Sequence, residues 1–556
     1  MTARRDAGDP VDDPSAPSAR LAAALFGASV VVAVPLIAFV LGGFHWFLAD
    51  DWYFIADRTL GSTSDLFAPH NGHWSTVPVV AFRLLWSVFG LRTYLPYQLG
   101  SILLHIGVVV LVRVVMRRAG VGPWIASAAA GALLLYGPGA SNIIWAFQIG
   151  FTGAVFFGLV QLLLSDHDGP VDRRDALALV AGTLAIASSG TGVPMVVATA
   201  LALLVRRGWR RSLLHTLPLA IVYGIWSLLA LGGDASAGAA PREASVAPGG
   251  LPSVGTAVRW LRNVYVAMFD GLGHHGAVVV ALVAVVVVGL AVLVVTRRGT
   301  LLELLRQVAL PVALAGGGVL FALLTAVTRW QLGEGLARSG RYVYLSAALS
   351  LPLIAVAAQA VARSWRATTP VLAALFLVAV PTNVSVFDDE FFGPGFHRSQ
   401  EALVEAVVRV GYADEVSPEA RPFTGLLYPD SLDLGFLLQA ARDGRIEPST
   451  GPIPPAIADE LAVRLGLVHQ TSTVPAEACR MVAAGEDLRP AKGTAYRWEG
   501  DDGAVRVGVI TADGRRGRPI DIEPVEGSVL VAQREGTAFD WEPADATQPF
   551  ELCEQR

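Results

Sequence analysis

The strongest constraint on this chain is a succession of apolar runs about 20 residues long, the length a helix needs to cross a hydrocarbon layer about 30 Å thick. About eleven such runs end in charge or in Gly/Pro clusters. They cover 21–44, 95–116, 121–137, 148–165, 175–189, 191–205, 213–232, 276–296, 307–327, 342–361 and 368–386. Of the 556 residues, 53% are hydrophobic and only 16% charged. A soluble protein carries about a quarter charged residues, so an ordinary soluble enzyme is excluded. The 57 glycines and 33 prolines follow no G-X-Y period, which excludes collagen and low-complexity disorder. The expected fold is a polytopic α-helical membrane protein with a C-terminal soluble α+β domain. Residues 1–20 read as a cytoplasmic tail, 21–387 as the transmembrane domain and 388–556 as an extracytoplasmic domain.

Charge placement orients these parts. From Asp388 to Arg556 there are 30 acidic and 16 basic residues, giving −14; the remainder has 17 and 26, giving +9, and the two restore the net −5. Arg4, Arg5 and Arg20, then Arg113/Arg117/Arg118, Arg173/Arg174, Arg206/Arg207/Arg210/Arg211, Arg297/Arg298/Arg306 and Arg363/Arg366 all fall on alternate loops. Cationic loops stay inside, so the N-terminus is expected in the cytoplasm and everything after about residue 387 outside a cell membrane. The first run is too long for a signal-peptide core and reads as a retained anchor. The two cysteines, Cys479 and Cys553, both lie in the outer segment, where disulfides persist; a bridge and two separate thiols both stay open. No basic face with interleaved aromatics is present, so nucleic acid is not an expected partner.

The loop after the first run, FLADDWYFIADRTLGSTSDLFAPHNGHWSTVPVVAFRLLWSVFG, gathers unusual chemistry. Asp50 and Asp51 stand where an apolar helix meets the outer membrane surface, a costly place for carboxylates that have neither function nor partner. Trp52, Tyr53 and Phe54 follow, and then His70, Asn71, Gly72, His73 and Trp74. Carboxylates, imidazoles and aromatic platforms together fit a polyhydroxylated substrate. The stretch 77–90, interrupted by Arg83, is expected to lie along the interface. His70 and His73 also leave open a divalent cation, Mg²⁺ or Mn²⁺ before zinc given the nearby carboxylates.

The tandem Asp-Asp opening the first outer loop of a many-span protein, followed by in-plane helices and an Asn-Gly-His element, resembles the GT-C superfamily. These integral-membrane glycosyltransferases use polyprenyl-phosphate-linked sugars and include protein O-mannosyltransferases and aminoarabinose lipid A transferases. The likeness spans roughly residues 21–390. It implies an inverting transfer with one loop carboxylate as base, a role that falls here on Asp50 or Asp51.

Such a transfer requires a base near the acceptor hydroxyl and a clamp on the departing phosphate. Arg329, Arg338 and Arg341 in TRWQLGEGLARSGRYVYL lie on an outer loop whose Arg content runs against the orientation rule. The planar guanidinium suits phosphate, although local pairing with Glu334 is the alternative. Arg341-Tyr342 resembles the superfamily's Arg-Tyr pair, making Arg341 the first choice. In the segment GPGASNIIWAFQIGFTG, Gln148 stands inside an apolar run, with Asn142 and Trp145 nearby, and is expected to hydrogen-bond a sugar or a neighbouring helix.

The expected partners are therefore a polyprenyl-phosphate sugar donor, an extracytoplasmic glycan, lipid or protein acceptor, and the bilayer. The alternatives are a lipid-linked glycan transporter, for which His105 is the clearest intramembrane ionisable group, and a non-catalytic scaffold.

Overall fold

The computed structural model describes residues 17–232, 251–296, 299–387, 393–409, 416–423, 428–429, 431–448, 450–471, 478–482, 486–489, 494–499, 505–510, 514–522, 528–532, 538–543 and 550–555. Most of the tail 1–20, the Gly/Ala-rich stretch 233–250 and Arg297/Arg298 lie outside them. Two compact units emerge. The first comprises Met1–Gly43, Leu66–Val80 and Leu95–Phe392, the second Phe44–Asp65, Ala81–Tyr94 and Gly393–Arg556.

The first unit is helical. Among the described residues, eight helices are long and apolar enough to span a membrane: Pro17–Leu41, Leu95–Arg118, Ala146–Ser165, Trp209–Ala230, Gly276–Val295, Leu301–Leu332, Gly340–Ser364 and Arg366–Ser385. The chain is thus a multi-pass membrane protein. Three further apolar runs form shorter helices, Pro123–Leu134, Arg173–Ile186 and Gly192–Arg207, of 12, 14 and 16 residues. Their ends have physical causes. The run 121–137 loses its helix at Tyr136-Gly137-Pro138, because proline lacks the amide a helix needs and glycine gives up more backbone entropy. Pro35 precedes a π-helical turn, Ile37–Leu41, that closes the first span.

Between the Pro123–Leu134 and Ile149–Ser165 helices the chain breaks into a 3₁₀ turn, Gly137–Gly139, a short helix, Ala140–Ile144, and a second 3₁₀ turn, Ala146–Gln148. Irregular backbone in a membrane protein is tolerated where protein surrounds it, and this segment is buried apart from half-buried Pro138. The expected ionisable group of a carrier, His105, is instead a helix tie: Nδ1 lies 2.8 Å from the Tyr344 hydroxyl and Nε2 3.1 Å from the Leu134 carbonyl oxygen.

The second unit has two antiparallel sheets. One orders its strands Leu467–Thr471, Ser528–Ala532, Ala495–Glu499, Phe550–Gln555, Ala478–Val482; the other Glu486–Leu488, Ala538–Pro543, Val505–Ile510, Ile520–Ile522. Alternating runs in the sequence account for most of them, and Val507, Leu530, Phe539 and Trp541 fill their shared core. Cys553 stands opposite Cys479 in the register. Two stretches of the first outer loop belong to this unit. The Trp86 ring stacks on Phe436 at 5.8 Å, and the Leu91 amide donates to the Arg445 carbonyl at 2.7 Å.

Candidate active site

The carboxylate pair lies in the second unit and is split by its surroundings. Asp50 and Asp51 open the Asp50–Ala56 helix, where the partial positive charge of the helix end favours carboxylates. Asp51 is fully buried, and its Oδ2 accepts from the Leu48 amide at 3.1 Å and from the Tyr94 hydroxyl at 3.1 Å. Aromatic rings enclose it: Phe47 meets Tyr94 edge-on at 5.0 Å, and Trp46 meets Trp52 at 5.6 Å. Asp50 is half-buried. Behind it Ala49 has φ +48°, a conformation that L residues with a Cβ adopt only under constraint. Asp51 therefore fixes the turn, and Asp50 is the carboxylate with solvent access.

The imidazole cluster lies in the first unit and is a β-hairpin. Pro69–His70 pairs with His73–Trp74, His70 opposite His73, around Asn71 at φ +50° and Gly72 at φ +75°. Two successive positive φ values make the tight turn for which Asn-Gly is the preferred sequence. That signal was available in the sequence, and it gives Asn71 and Gly72 a conformational duty. Trp74 is packed as core. Its indole N–H donates to Thr76 Oγ1 at 2.6 Å, and its ring stacks on Trp226 at 5.5 Å.

The hairpin lies along the first turn of the Ile149–Ser165 helix, with His70 edge-on to Phe147 at 5.5 Å and His73 edge-on to Phe151 at 6.0 Å. The small turn Ser188–Gly192 closes the other side. A Cβ at Gly190 would stand 2.6 Å from His73 Nδ1, so only glycine allows this approach. Burial first, then the electrostatics of Arg329, His70 and Arg341, push His73 down to about 4. Two of the expected arginines therefore act on the hairpin, and His73 is neutral at pH 7.

The other members of the arginine loop are committed elsewhere. Arg338 pairs with Asp270 at 3.1 Å. Glu334, the expected local partner of an arginine in its own loop, instead binds Arg259 at 2.8 Å. Tyr342 is buried, 6.0 Å from the Phe321 ring and 6.2 Å from Trp260. Gln148 is fully buried at the head of the Ile149–Ser165 helix. Tyr94 was not legible as a partner of Asp51, since 43 residues separate them and no spacing rule connects them.

Among the described residues, one group has metal-ligand spacing: His167, Asp172 and Asp175. Its carboxylates are taken. Asp175 accepts from Arg211 at 2.7 Å and pairs with His215 at 2.9 Å, and Asp172 binds Arg174 at 2.8 Å.

No family model matches the chain, and no curated protein matches it significantly. Two crystal structures of ArnT from Cupriavidus metallidurans overlap 78% of this chain and 90% of their own, at 14% identity. The apo form has a TM-score of 0.46, and the form bound to undecaprenyl phosphate 0.32. Both belong to the aminoarabinose transferase type that the first outer loop resembles in sequence.

Proposed function

We propose that this chain is an inverting glycosyltransferase that moves a hexosyl or pentosyl group from a polyprenyl phosphate to a hydroxyl of an extracytoplasmic glycan, lipid or protein. The observation that supports it best is the hairpin's His73 in an apolar helical unit, kept neutral at pH 7 by burial and then by the electrostatics of Arg329, His70 and Arg341. Such a setting suits a lipid phosphate. Guanidinium groups hold phosphate oxygens through charge-assisted hydrogen bonds, and a neutral imidazole adds a donor without adding charge.

Asp50 is assigned the base. As the acceptor oxygen attacks the anomeric carbon, Asp50 takes its proton, and the bond from that carbon to the phosphate oxygen breaks. Polyprenyl phosphate leaves with the electron pair, its charge held by Arg341 and Arg329. Asp51 is a positioning residue that fixes the turn carrying Asp50. No step is assigned to Mg²⁺ or Mn²⁺. In this reading the N-terminus is cytoplasmic, residues 21–387 form the lipid-substrate domain, and the outer domain 388–556 stabilises the outer face or presents the acceptor.

Purified protein incubated with a radiolabelled polyprenyl-phosphate sugar and acceptor is expected to release polyprenyl phosphate. Asp50→Asn is expected to cut this by about 10²–10⁴-fold, the usual contribution of a positioned base, with an unchanged unfolding midpoint. Asp51→Asn is expected to lower the midpoint as well, by about 1–3 kcal/mol of stability. Wild-type turnover in Asp50→Asn would overturn the assignment.

A further inference from the structure

The broken segment between the Pro123–Leu134 and Ile149–Ser165 helices gathers three buried primary amides. Gln98 is 4% exposed, and Asn142 and Gln148 are 0% exposed. Gln98 Nε2, both amide atoms of Asn142 and both of Gln148 have no hydrogen-bond partner among the described residues. The backbone here is tied firmly: the Asn142 carbonyl accepts from Ser101 Oγ at 2.9 Å and from Thr152 Oγ1 at 3.1 Å. A Cβ built on Gly42 would meet Gln98 Nε2 at 3.0 Å and Ile144 Cγ2 at 3.4 Å, so the Gln98 amide faces the Ala140–Ile144 helix that carries Asn142.

Native proteins satisfy roughly nine in ten of their buried polar groups, and inside a bilayer no solvent relieves the rest. Five orphaned amide atoms, four on the broken segment and one on the facing Leu95–Arg118 helix, are therefore an array of donors and acceptors held ready for a ligand. Its chemistry is specific. Primary amides offer N–H donors and carbonyl acceptors in equal measure, which matches hydroxyl groups that each donate once and accept. They offer no formal counter-charge to an ammonium or a carboxylate.

The position is specific too. Phe147, one residue before Gln148, carries the His70 ring, and Phe151, one turn further on, carries His73. The amides thus stand one helical turn from the group on which Arg329 and Arg341 act. We infer that Gln98, Asn142 and Gln148 form a subsite for an uncharged, hydroxyl-rich glycosyl unit, the sugar of the lipid-linked donor. This rests on the glycosyl-transfer reading above and narrows it to neutral sugars.

The test uses full-length protein in nanodiscs titrated with undecaprenyl phosphate alone and with the same lipid carrying mannose, arabinose or 4-amino-4-deoxyarabinose. Wild type is expected to bind a neutral-sugar lipid at least about tenfold more tightly than the bare lipid, and more tightly than the amino sugar. Asn142→Leu and Gln148→Met are expected to reduce the neutral-sugar lipid to bare-lipid affinity while leaving bare-lipid affinity unchanged. Asn142→Asp supplies the missing counter-charge and is expected to reverse the preference towards the amino sugar, a gain that misfolding cannot mimic. If wild type binds bare lipid but no neutral-sugar lipid more tightly, or if the variants keep wild-type discrimination, the subsite is overturned and the lipid-phosphate reading survives. If wild type binds none of the four lipids, both fall.

Discussion

Two buried polar clusters in the same helical unit differ in who satisfies them. Around the loop 166–172, Asp166 accepts from Arg206 at 2.8 Å and Arg207 at 3.2 Å. Asp175 accepts from Arg211 at 2.7 Å and the Asp172 amide at 2.7 Å, with His215 at 2.9 Å and His167 at 3.0 Å. In the broken segment, by contrast, Asn142 and Gln148 have no side-chain partner among the described residues. Both clusters incur the cost of burying polar atoms. The first recovers it inside the chain by tying three consecutive helices together; the second leaves it uncompensated until something from outside binds.

The sharpest way to break this contrast is to remove one member from each side. Asp175→Ala strips the partner from Arg211 and His215 and removes a capping box at the head of the Arg173–Ile186 helix. Breaking a buried charge network costs about 3–5 kcal/mol, because the remaining charges stay buried. Asn142→Leu replaces an orphaned amide by an apolar group of similar volume and is expected to leave thermal stability unchanged or raise it. Thermal unfolding in detergent measures both. Equal losses in the two variants would remove the distinction between architecture and binding.

The charge on the hairpin extends the comparison. Arg206, Arg207 and Arg211 are paired with aspartates, and at the hairpin burial first, then the electrostatics of Arg329, His70 and Arg341, hold His73 down at about 4. The ordinary histidine value is about 6.5, so between pH 6.5 and 4 the unfolded chain binds a proton that the folded chain does not. Stability is then present in full above pH 6.5 and falls as pH drops towards 4, by at most about 3 kcal/mol. Unfolding midpoints at pH 7 and pH 5 measure this. His73→Gln is expected to flatten part of the acid slope, and a slope unchanged in that variant would show that other groups carry it.

Much of this was readable in the chain, and the exceptions have physical causes. Apolar length located the spans to within about a turn in most cases, for example 276–296 against Gly276–Val295. It overreached where Gly-Pro-Gly ends a helix before the apolar run stops, as at 121–137, and where two short helices share a turn of small residues at 188–192. Asp50, Asp51, His70, His73, Arg329 and Arg341 stood out by type and place, yet their division of labour did not. Tyr94 reaches Asp51, and Arg329 and Arg341 bear on His73, through tertiary packing that no local spacing encodes. The Asn-Gly hairpin was encoded locally and shows the reverse lesson: residues that look chemical also build the turn that presents their neighbours.

The smallest effect tests whether an uncompensated cost marks function in the second unit as well. Ala49 holds φ +48° immediately before Asp50, while Asp51 and Tyr94 secure the following turn. A non-glycine residue in such a conformation costs on the order of 1–3 kcal/mol. Glycine removes that cost but gives the unfolded chain about 0.4–1 kcal/mol more entropy to lose. Ala49→Gly is therefore expected to leave stability unchanged or raise it by up to about 2.6 kcal/mol. The same freedom lets Asp50 sample orientations away from the acceptor, so turnover is expected to fall severalfold with little change in donor affinity. Differential scanning measurements and the radiolabel assay on one preparation measure the two together. A more stable and equally active variant would make the strained turn a local accommodation, and the link between uncompensated cost and chemistry would then rest on the amide cluster alone.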